Sequence, residues 1–340
     1  MSERTESPRY LIAIGASAGG LNAVVELCAQ LDKEMDAAIC VVLHISHISM
    51  TEILAQRIQR NSHFTCKVAE NGESLLRHYI YMAPADRHLL IKRKRLLLGQ
   101  GPAENRWRPS IDALFRSAAV AYNGHTIGVI LTGLLQDGTT GMLAIKKSGG
   151  ICIVQDPKEA EYPDMPQAVL DNVEVDYCTS LSQMGFLLKE KTAALHDEKP
   201  VNIPRDIKTE AEISERVAIG INLVADLGKK SIFTCPDCGG GLWEIEEGKL
   251  PRYRCHIGHA FTEKELQLRQ SETLETTLWV ALRMMEERRQ LLLKMADEEK
   301  SKGWKRSADN KEDRALELKV HIDRLKELLF DTQTKSDQSS

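Results

Sequence analysis

The sequence lacks an apolar run long enough to cross a membrane, and residues 1–10 lack the apolar core of a signal peptide. It also lacks a basic excess, because 45 lysines and arginines stand against 49 aspartates and glutamates, a net charge of −4. We therefore expect a cytoplasmic protein that is not embedded in a membrane and does not bind nucleic acid.

Regularly spaced cysteines are missing from most of the chain. Five of the eight cysteines stand alone in apolar segments, and we interpret them as buried free thiols: Cys28, Cys40, Cys66, Cys152 and Cys178. The remaining three lie close together between Cys235 and Cys255, which calls for a different explanation.

The first half of the chain has the pattern of an α/β domain. Between residue 10 and about residue 190, short runs rich in isoleucine and valine alternate with longer segments of helical periodicity. This alternation predicts a doubly wound, mostly parallel sheet with crossover helices. Segments 79–84 and 88–99 are predicted to form a hairpin at an antiparallel edge.

The rest of the chain divides by composition. We predict an α/β domain over 8–190, a linker with a connecting helix over 191–232, a Cys/His module over 233–262, a helical hairpin or coiled coil over 263–331 and a disordered tail over 332–340. Apolar residues at helical spacing predict the buried faces of the two hairpin helices: Leu274, Leu278, Leu282, Met285, Leu292 and Met295, then Ala315, Leu318, Ile322, Leu325 and Leu329.

Ser17 stands in the sequence Gly-Ala-Ser-Ala-Gly directly after the first predicted strand. Small neighbours permit a sharp strand-to-helix turn that exposes the serine oxygen, as in a nucleophile elbow. The segment does not fit a dinucleotide fingerprint or a Walker A loop, because the required glycines and lysine are absent. A glycine-rich turn with a capping serine remains the alternative.

Two further polar residues follow predicted strands. His44 ends the strand that precedes it, and Asp137 follows the strand near residue 130. Because chemistry collects at the carboxyl ends of parallel strands, we expect Ser17, His44 and Asp137 to form a nucleophile–base–acid triad. His47 is the competing histidine, and an N-cap role is the alternative for Asp137.

Several separated segments resemble the catalytic domain of the chemotaxis protein-glutamate methylesterases. The resemblance covers roughly residues 8–190 and rests on these segments: IGASAGGL, VVLHIS, IYMAPADRHL, RWRPSIDALF, GVILTGLLQDGTTGM and YPDMPQAV. Members of this family remove methyl groups from γ-glutamyl methyl esters of chemoreceptors with release of methanol, and deamidate certain glutamines. The resemblance implies a serine carboxylic-ester hydrolase without a catalytic cofactor and with methylated chemoreceptor-like proteins as partners.

The same resemblance implies individual roles. Ser17 would be the nucleophile, His44 the general base and acid, and Asp137 the orienting carboxylate. The Leu134 N–H is a candidate oxyanion donor, and Ala18, which stands where many members have threonine, is expected beside the oxyanion and substrate. Arg108 would shape the substrate groove, with a salt-bridged arginine at a helix start as the alternative. Well-known members carry an N-terminal receiver domain, for which we expect no room before residue 10.

The Cys/His module has the spacing of a zinc ribbon, with a Cys-x-x-Cys-Gly knuckle and a second half around residue 255. We expect a structural zinc ion held by Cys235, Cys238, Cys255 and His259. His256 is the alternative fourth ligand, and a redox pair of the first two cysteines is the competing interpretation. Because a linker precedes the module, we expect metal removal to unfold it without affecting the α/β domain.

Two functions from different classes remain open at this point. The first is an active methylesterase. The second is a scaffold in which the esterase domain is secondary and the module and helices bind signalling partners, either through a coiled coil or by self-association. The triad favours the first, and the large C-terminal extension keeps the second open.

Overall fold

The core of the α/β domain is a parallel sheet. The computed structural model describes residues 7–44, 50–193, 201–215, 224–247 and 250–336. Its first nine strands are Tyr10–Ala16 (β1), Ala37–Leu43 (β2), Thr65–Val68 (β3), Tyr79–Met82 (β4), His88–Lys92 (β5), Arg95–Gly99 (β6), Thr126–Ile130 (β7), Ile151–Gln155 (β8) and Tyr177–Thr179 (β9). The main sheet has the order β3-β4-β2-β1-β7-β8-β9, and each pair of neighbours is parallel.

Helices cover both faces of this sheet. They are Gly20–Ala29 (α1), Thr51–Gln59 (α2), Ile111–Tyr122 (α3), Thr139–Lys147 (α4), Asp164–Asn172 (α5) and Leu181–Ala193 (α6). Side chains of α3, α4 and α5 share one buried apolar cluster, and those of α1, α2 and α6 share another. Successive residues of β1 alternate between the two clusters, which explains why this strand is apolar throughout.

The hairpin predicted from segments 79–84 and 88–99 is confirmed only for the second segment. Strand β4 belongs to the parallel sheet, between β2 and β3. Only β5 and β6 form an antiparallel hairpin, which packs beside α3, where the backbone N–H of Ile91 donates to the Ser117 hydroxyl at 3.1 Å. The doubly wound parallel fold is otherwise confirmed.

The Cys/His module is not separated from the α/β domain. Its antiparallel sheet consists of Lys229–Thr234 (β10), Gly241–Glu247 (β11), Leu250–Cys255 (β12) and Ala260–Thr262 (β13), in chain order. The connecting helix Arg205–Glu215 (α7) packs against α3. Residues 1–266 cluster as one compact unit, so the expectation that a linker isolates the module is wrong.

Five buried charged residues connect the α/β domain, helix α7 and the Cys/His module. We call them the ion cluster: Glu104, Arg116, Glu210, Arg252 and Arg254. Their side chains are at most 5% exposed. Arg254 Nη2 lies 3.0 Å from Glu104 Oε2, and Arg252 Nη2 lies 3.0 Å from both oxygens of Glu210. Arg116 donates to Glu104 as well. Because removing one partner of such a pair leaves a buried charge, the cluster ties the module firmly to the domain.

The second unit, residues 267–340, contains most of a helical hairpin. Helix α8 spans Glu263–Ser301 and helix α9 spans Lys305–Ser336. Leu282, Ile322 and Leu329 are buried between them, as predicted, with three partly buried neighbours: Leu278, Met285 and Leu325. Leu274 and Met295 were expected in the buried stripe but are 61% and 40% exposed.

Two further predictions need correction, one for the C-terminal tail and one for the solitary cysteines. Helix α9 continues five residues into the segment predicted to be disordered, and residues 337–340 lie outside the described part of the chain. Cys178 is exposed and Cys66 is half-buried, whereas the other three solitary cysteines are buried as expected. No helix in the described ranges is long and apolar enough to span a membrane.

Candidate active site

Ser17, His44 and Asp137 meet at the carboxyl end of the sheet. Each follows one of the three adjacent strands β1, β2 and β7, where the chain order of the strands reverses across the sheet. Ser17 Oγ lies 3.2 Å from His44 Nδ1, and His44 Nε2 lies 2.9 Å from Asp137 Oδ2. The side chains of His44 and Asp137 are each 1% exposed, while Ser17 is half-buried and open to a groove.

The backbone around Ser17 is tightly constrained. The Ser17 N–H donates to the Thr132 carbonyl at 3.0 Å, which links the ends of β1 and β7. Gly133 packs against Ser17 so closely that an added Cβ would lie 2.8 Å from the serine Cβ and would also collide with Met165. Gly19 directly precedes α1 as its N-cap and has φ +69, a conformation that glycine adopts without strain. These glycines place the hydroxyl beside the imidazole.

The imidazole of His44 is held on three sides. With hydrogen on Nε2, the ring donates to Asp137, and Nδ1 is then free to accept from the Ser17 hydroxyl. The indole of Trp107 stacks on the ring, with centroids 4.2 Å apart and planes 8° apart. An aromatic face stabilises a protonated imidazole through its quadrupole, so the stack suits a base that becomes cationic during the reaction.

The buried carboxylate of Asp137 accepts hydrogen bonds from four groups besides His44. Oδ1 accepts from Asn105 Nδ2 at 3.0 Å, from Ser110 Oγ at 3.0 Å and from the N–H of Asp112 at 3.3 Å. Oδ2 accepts from the N–H of Ile111 at 2.7 Å. Ser110 to Asp112 form the beginning of α3, whose N-terminal dipole also favours an anion.

These donors outweigh the cost of burial. Burial by itself raises the pKa of the Asp137 carboxyl, but the bond and charge of His44 and the donors Asn105 and Ile111 bring the pKa below its ordinary value. Asp137 is therefore ionised near neutral pH, which is the state that the expected orienting role requires. Its contribution to stability is present above the ordinary carboxyl pKa and is lost as the pH falls through the lowered pKa.

A second buried carboxyl, Asp112, shares this environment. It accepts from Asn105 Nδ2 at 2.8 Å, from Thr140 Oγ1 at 2.5 Å and from the N–H of Gly141 at 2.6 Å. Burial, followed by the negative charge of Asp137, raises the pKa of Asp112 to about 6, although Arg116 and the donors oppose the shift. The sequence does not point to Asp112, because only its place near the start of a predicted helix distinguishes it from other aspartates.

His88 is a buried histidine that contacts the beginning of α3. Its Nε2 lies 2.9 Å from the Pro102 carbonyl, and its Nδ1 lies 3.2 Å from the N–H of Ser110. Burial lowers the pKa of His88, which favours the neutral ring that can donate at one nitrogen and accept at the other. His88 therefore positions the serine that donates to Asp137.

The other expected site residues are placed less centrally. Arg108 pairs with Asp86 at 2.6 Å and donates to the Gly101 carbonyl at 2.9 Å, as the salt-bridged alternative supposed. The Ala18 carbonyl accepts from Thr132 Oγ1 at 3.1 Å, and Leu134 is 45% exposed next to Gly133. His47, the competing histidine, lies outside the described residues.

A groove of about 420 Å³ opens over Ser17 and His44. Gly19, Arg57 and Glu161 also line it, whereas Arg108 does not. A group bound in this groove would lie beside Ser17 and His44.

The four expected metal ligands also come together. The ligand atoms of Cys235, Cys238, Cys255 and His259 all lie within 4.8 Å of one another. The sulfurs of Cys238 and Cys255 are 3.7 Å apart, and the Cys255 sulfur is 3.5 Å from His259 Nδ1. Tetrahedral zinc with ordinary bond lengths would give about 3.8 Å and about 3.6 Å for such edges. The donor set thus fits zinc, with His259 as the nitrogen donor that lies beside the three sulfurs.

Comparison with known proteins places the α/β domain. A family profile described as CheB methylesterase matches residues 12–188, just over half of the chain. The chain belongs to the CheB methylesterase family. The crystal structure of the Thermotoga maritima CheB methylesterase catalytic domain superposes with a TM-score of 0.51 and 32% identity, covering 54% of this chain and 98% of that one.

Relatives with assigned names share the same half of the chain. A putative protein-glutamate methylesterase/protein-glutamine glutaminase of Leptospira interrogans is 38% identical over 177 residues, which is 52% of this chain and 91% of the relative. Protein-glutamate methylesterase/protein-glutamine glutaminases of Photorhabdus laumondii and Sulfurimonas denitrificans are 36% and 38% identical. The chain spans about half, 54%, of the length of each of these two.

The raised pKa of Asp112 predicts an unusual pH dependence of stability. Between about pH 4 and pH 6 the folded carboxyl keeps a proton that the unfolded chain releases, so its contribution becomes less favourable as the pH rises. Asp112→Asn removes this term. Urea unfolding at pH 4.5 and 6.5 should therefore show the wild type losing stability relative to the variant over this interval.

Because both proteins contain the same other titratable groups, the difference between their pH slopes of unfolding free energy reports on the Asp112 carboxyl. Equal pH slopes for the wild type and Asp112→Asn would contradict the assignment of the raised pKa to this carboxyl.

Proposed function

We propose that this chain is a protein-glutamate methylesterase that hydrolyses γ-glutamyl methyl esters on chemoreceptor-like proteins, with Ser17, His44 and Asp137 as its catalytic triad. The observation that carries the proposal is the continuous hydrogen-bond chain from the Ser17 hydroxyl through His44 to the buried carboxylate. Membership of the CheB methylesterase family and the names of the relatives support the substrate class.

The geometry suits a two-step acyl transfer. Ser17 Oγ attacks the ester carbonyl carbon while its proton passes to His44 Nδ1, and Asp137 stabilises the imidazolium through Nε2. Collapse of the tetrahedral intermediate breaks the bond to the methoxy oxygen, which takes the proton from Nδ1 and leaves as methanol. A water molecule activated by the same imidazole then releases glutamate from the serine.

The negative oxygen of the intermediate requires backbone donors. The N–H of Gly133 already donates to the Tyr162 carbonyl at 2.9 Å, so the next N–H, that of Leu134, is our candidate oxyanion donor. The same machinery would deamidate glutamine with ammonia as the leaving group. Arg108 is assigned a supporting role outside the groove, because its guanidinium is engaged with Asp86 and main-chain carbonyls.

The triad predicts a specific effect of Ser17→Ala. Methanol release from membranes that contain methylated chemoreceptor should fall by at least about 10³-fold, since the nucleophile is lost while the groove remains. Ser182→Ala, which changes an exposed serine of α6, is the matched control and should retain wild-type activity.

Folded wild-type protein that releases no methanol would overturn this proposal. That outcome would favour the scaffold function, in which the module and the helices bind signalling partners.

We also propose that the Cys/His module binds one structural zinc ion through Cys235, Cys238, Cys255 and His259. Two backbone knuckles support these positions: the N–H of Gly239 donates to the Cys235 carbonyl at 2.8 Å, and the N–H of Gly258 donates to the Cys255 carbonyl at 3.0 Å. The buried apolar part of the module is small, so metal binding would supply a large share of its stability.

Metal content tests this site directly. The purified protein should contain one equivalent of zinc by mass spectrometry, and Cys255→Ser and His259→Ala should each lose most of it. Cys178→Ser, at an exposed cysteine of β9, is the matched control and should keep it. Loss of zinc in His256→Ala but not in His259→Ala would transfer the fourth ligand to the alternative histidine.

We further propose that the helical hairpin mediates self-association. One face of α8 exposes apolar side chains at steps of four, seven and four residues, each 40–59% exposed: Val280, Met284, Leu291 and Met295. This spacing is that of a coiled-coil seam, and a second copy of the helix offers the same seam.

Sedimentation of the full chain tests the seam. The wild type should form dimers at micromolar concentrations, and Met284→Glu combined with Leu291→Glu should shift the equilibrium to monomers by at least about tenfold. Gln290→Glu, an exposed polar position of the same helix, is the charge control and should stay dimeric. A wild type that remains monomeric at every concentration would contradict self-association.

A further inference from the structure

A tight turn at residues 104–107 lies between the active site and the Cys/His module. Glu104 and Trp107 exchange backbone hydrogen bonds of 3.2 and 2.9 Å, so the two residues between them form a two-residue hairpin loop. Both loop residues have positive φ, 50° for Asn105 and 71° for Arg106. Such a turn normally carries glycine at its second loop position, and arginine there is strained. Contacts outside the turn must therefore hold its conformation.

One side of the turn touches the proposed triad. The Asn105 amide nitrogen donates one hydrogen to Asp137 Oδ1 at 3.0 Å and one to Asp112 Oδ2 at 2.8 Å. Trp107 stacks on the imidazole of His44. Two of the contacts that orient the base and its carboxylate thus come from this four-residue turn.

The other side of the turn is held by the module. The N–H of Asn105 donates to the Ala260 carbonyl at 2.8 Å, and Glu104 forms a parallel bridge with the same residue at the edge of β13. The Glu104 carboxylate accepts from both terminal nitrogens of Arg254, at 3.0 and 3.3 Å. Arg254 in turn donates to the Gly258 carbonyl at 3.2 Å, which orients its guanidinium from within the module.

We propose that the Cys/His module is a positioning element of the esterase site, in which Arg254 and Ala260 hold the 104–107 turn so that Asn105 and Trp107 orient Asp137 and His44. This inference rests on the proposed function and adds a second task to the module. Asn105 is the positioning residue that transmits it, because its backbone contacts the module and its side chain contacts the carboxylate.

The arrangement also couples the proposed metal site to the turn. Arg254 directly precedes Cys255, and Ala260 directly follows His259. The two residues that hold the turn are therefore chain neighbours of two proposed ligands, and a disordered knuckle would release both. The module can affect turnover without contributing any group to the groove.

The test compares Arg254→Met with wild type in the full chain. Undocking should speed amide hydrogen exchange across peptides of residues 101–112, while peptides of β2 stay protected. It should also lower kcat for methanol release about ten- to hundredfold with little change in KM, because orientation and not substrate binding is lost. Lys229→Met, at an exposed lysine of the module, is the matched control and should match wild type.

A double-mutant cycle separates positioning from general destabilisation. If Arg254 acts through Asn105, then Asn105→Ala alone should give a similar loss of kcat, and the double variant should lose little more than either single one. Arg254→Lys keeps the charge but not the two-pronged contact, and it should show a smaller effect in the same direction if Arg254→Met does not fold.

Unchanged exchange of residues 101–112 in the folded arginine variants would overturn the positioning role, as would fully additive losses in the cycle. A wild type that releases no methanol, with Ser17→Ala indistinguishable from it, would instead reject the proposed function. The exchange measurement needs no substrate and still decides the positioning role in that case.

Discussion

A single buried negative charge, that of Asp137, sets the arrangement of the candidate active site. A carboxylate that is 1% exposed must replace its lost hydration with fixed donors, and the chain supplies a histidine, an asparagine, a serine and the beginning of α3. These donors come from three segments: the end of β2, the turn that carries Asn105, and the beginning of α3 with its preceding serine. The need to satisfy this one charge therefore gathers three separate segments around Asp137 at the end of the sheet.

The second constraint is the ion cluster, in which buried charges away from the candidate site are again satisfied by fixed partners. Glu104 and Glu210 are placed among three arginines, two of which belong to the module. Arginine pairs buried in this way give little net stability but are costly to break. The consequence is a firm orientation of the module on the domain, at the turn whose side chains contact Asp137 and His44.

Strand ends in an α/β sheet could be predicted from the sequence because their chemistry is local. An apolar run followed by a small or polar residue marks Ser17, His44 and Asp137, and the structure brings these three together. The knuckle spacing likewise marks the four residues that converge in the module. In both cases the order of residues along the chain carries the information.

The supporting residues could not be predicted in this way, because their partners are distant in sequence. Asn105 lies in a turn that has no glycine, so no turn signal identified it. Arg252 and Arg254 look like surface basic residues in the sequence, yet they are 4% and 1% exposed because acidic partners 42 and 150 residues away meet them. A connecting helix was expected within residues 191–232, but nothing in its polar sequence indicated that α7 packs against α3 and buries Glu210.

The pairing of Glu104 with Arg254 also bears on how such a chain can change over generations. Loss of the Cys/His module would take both Arg254 contacts from the Glu104 carboxylate, which is 3% exposed, and would open that side of the turn to solvent. Such a loss is therefore expected to be tolerated better when the glutamate is replaced as well.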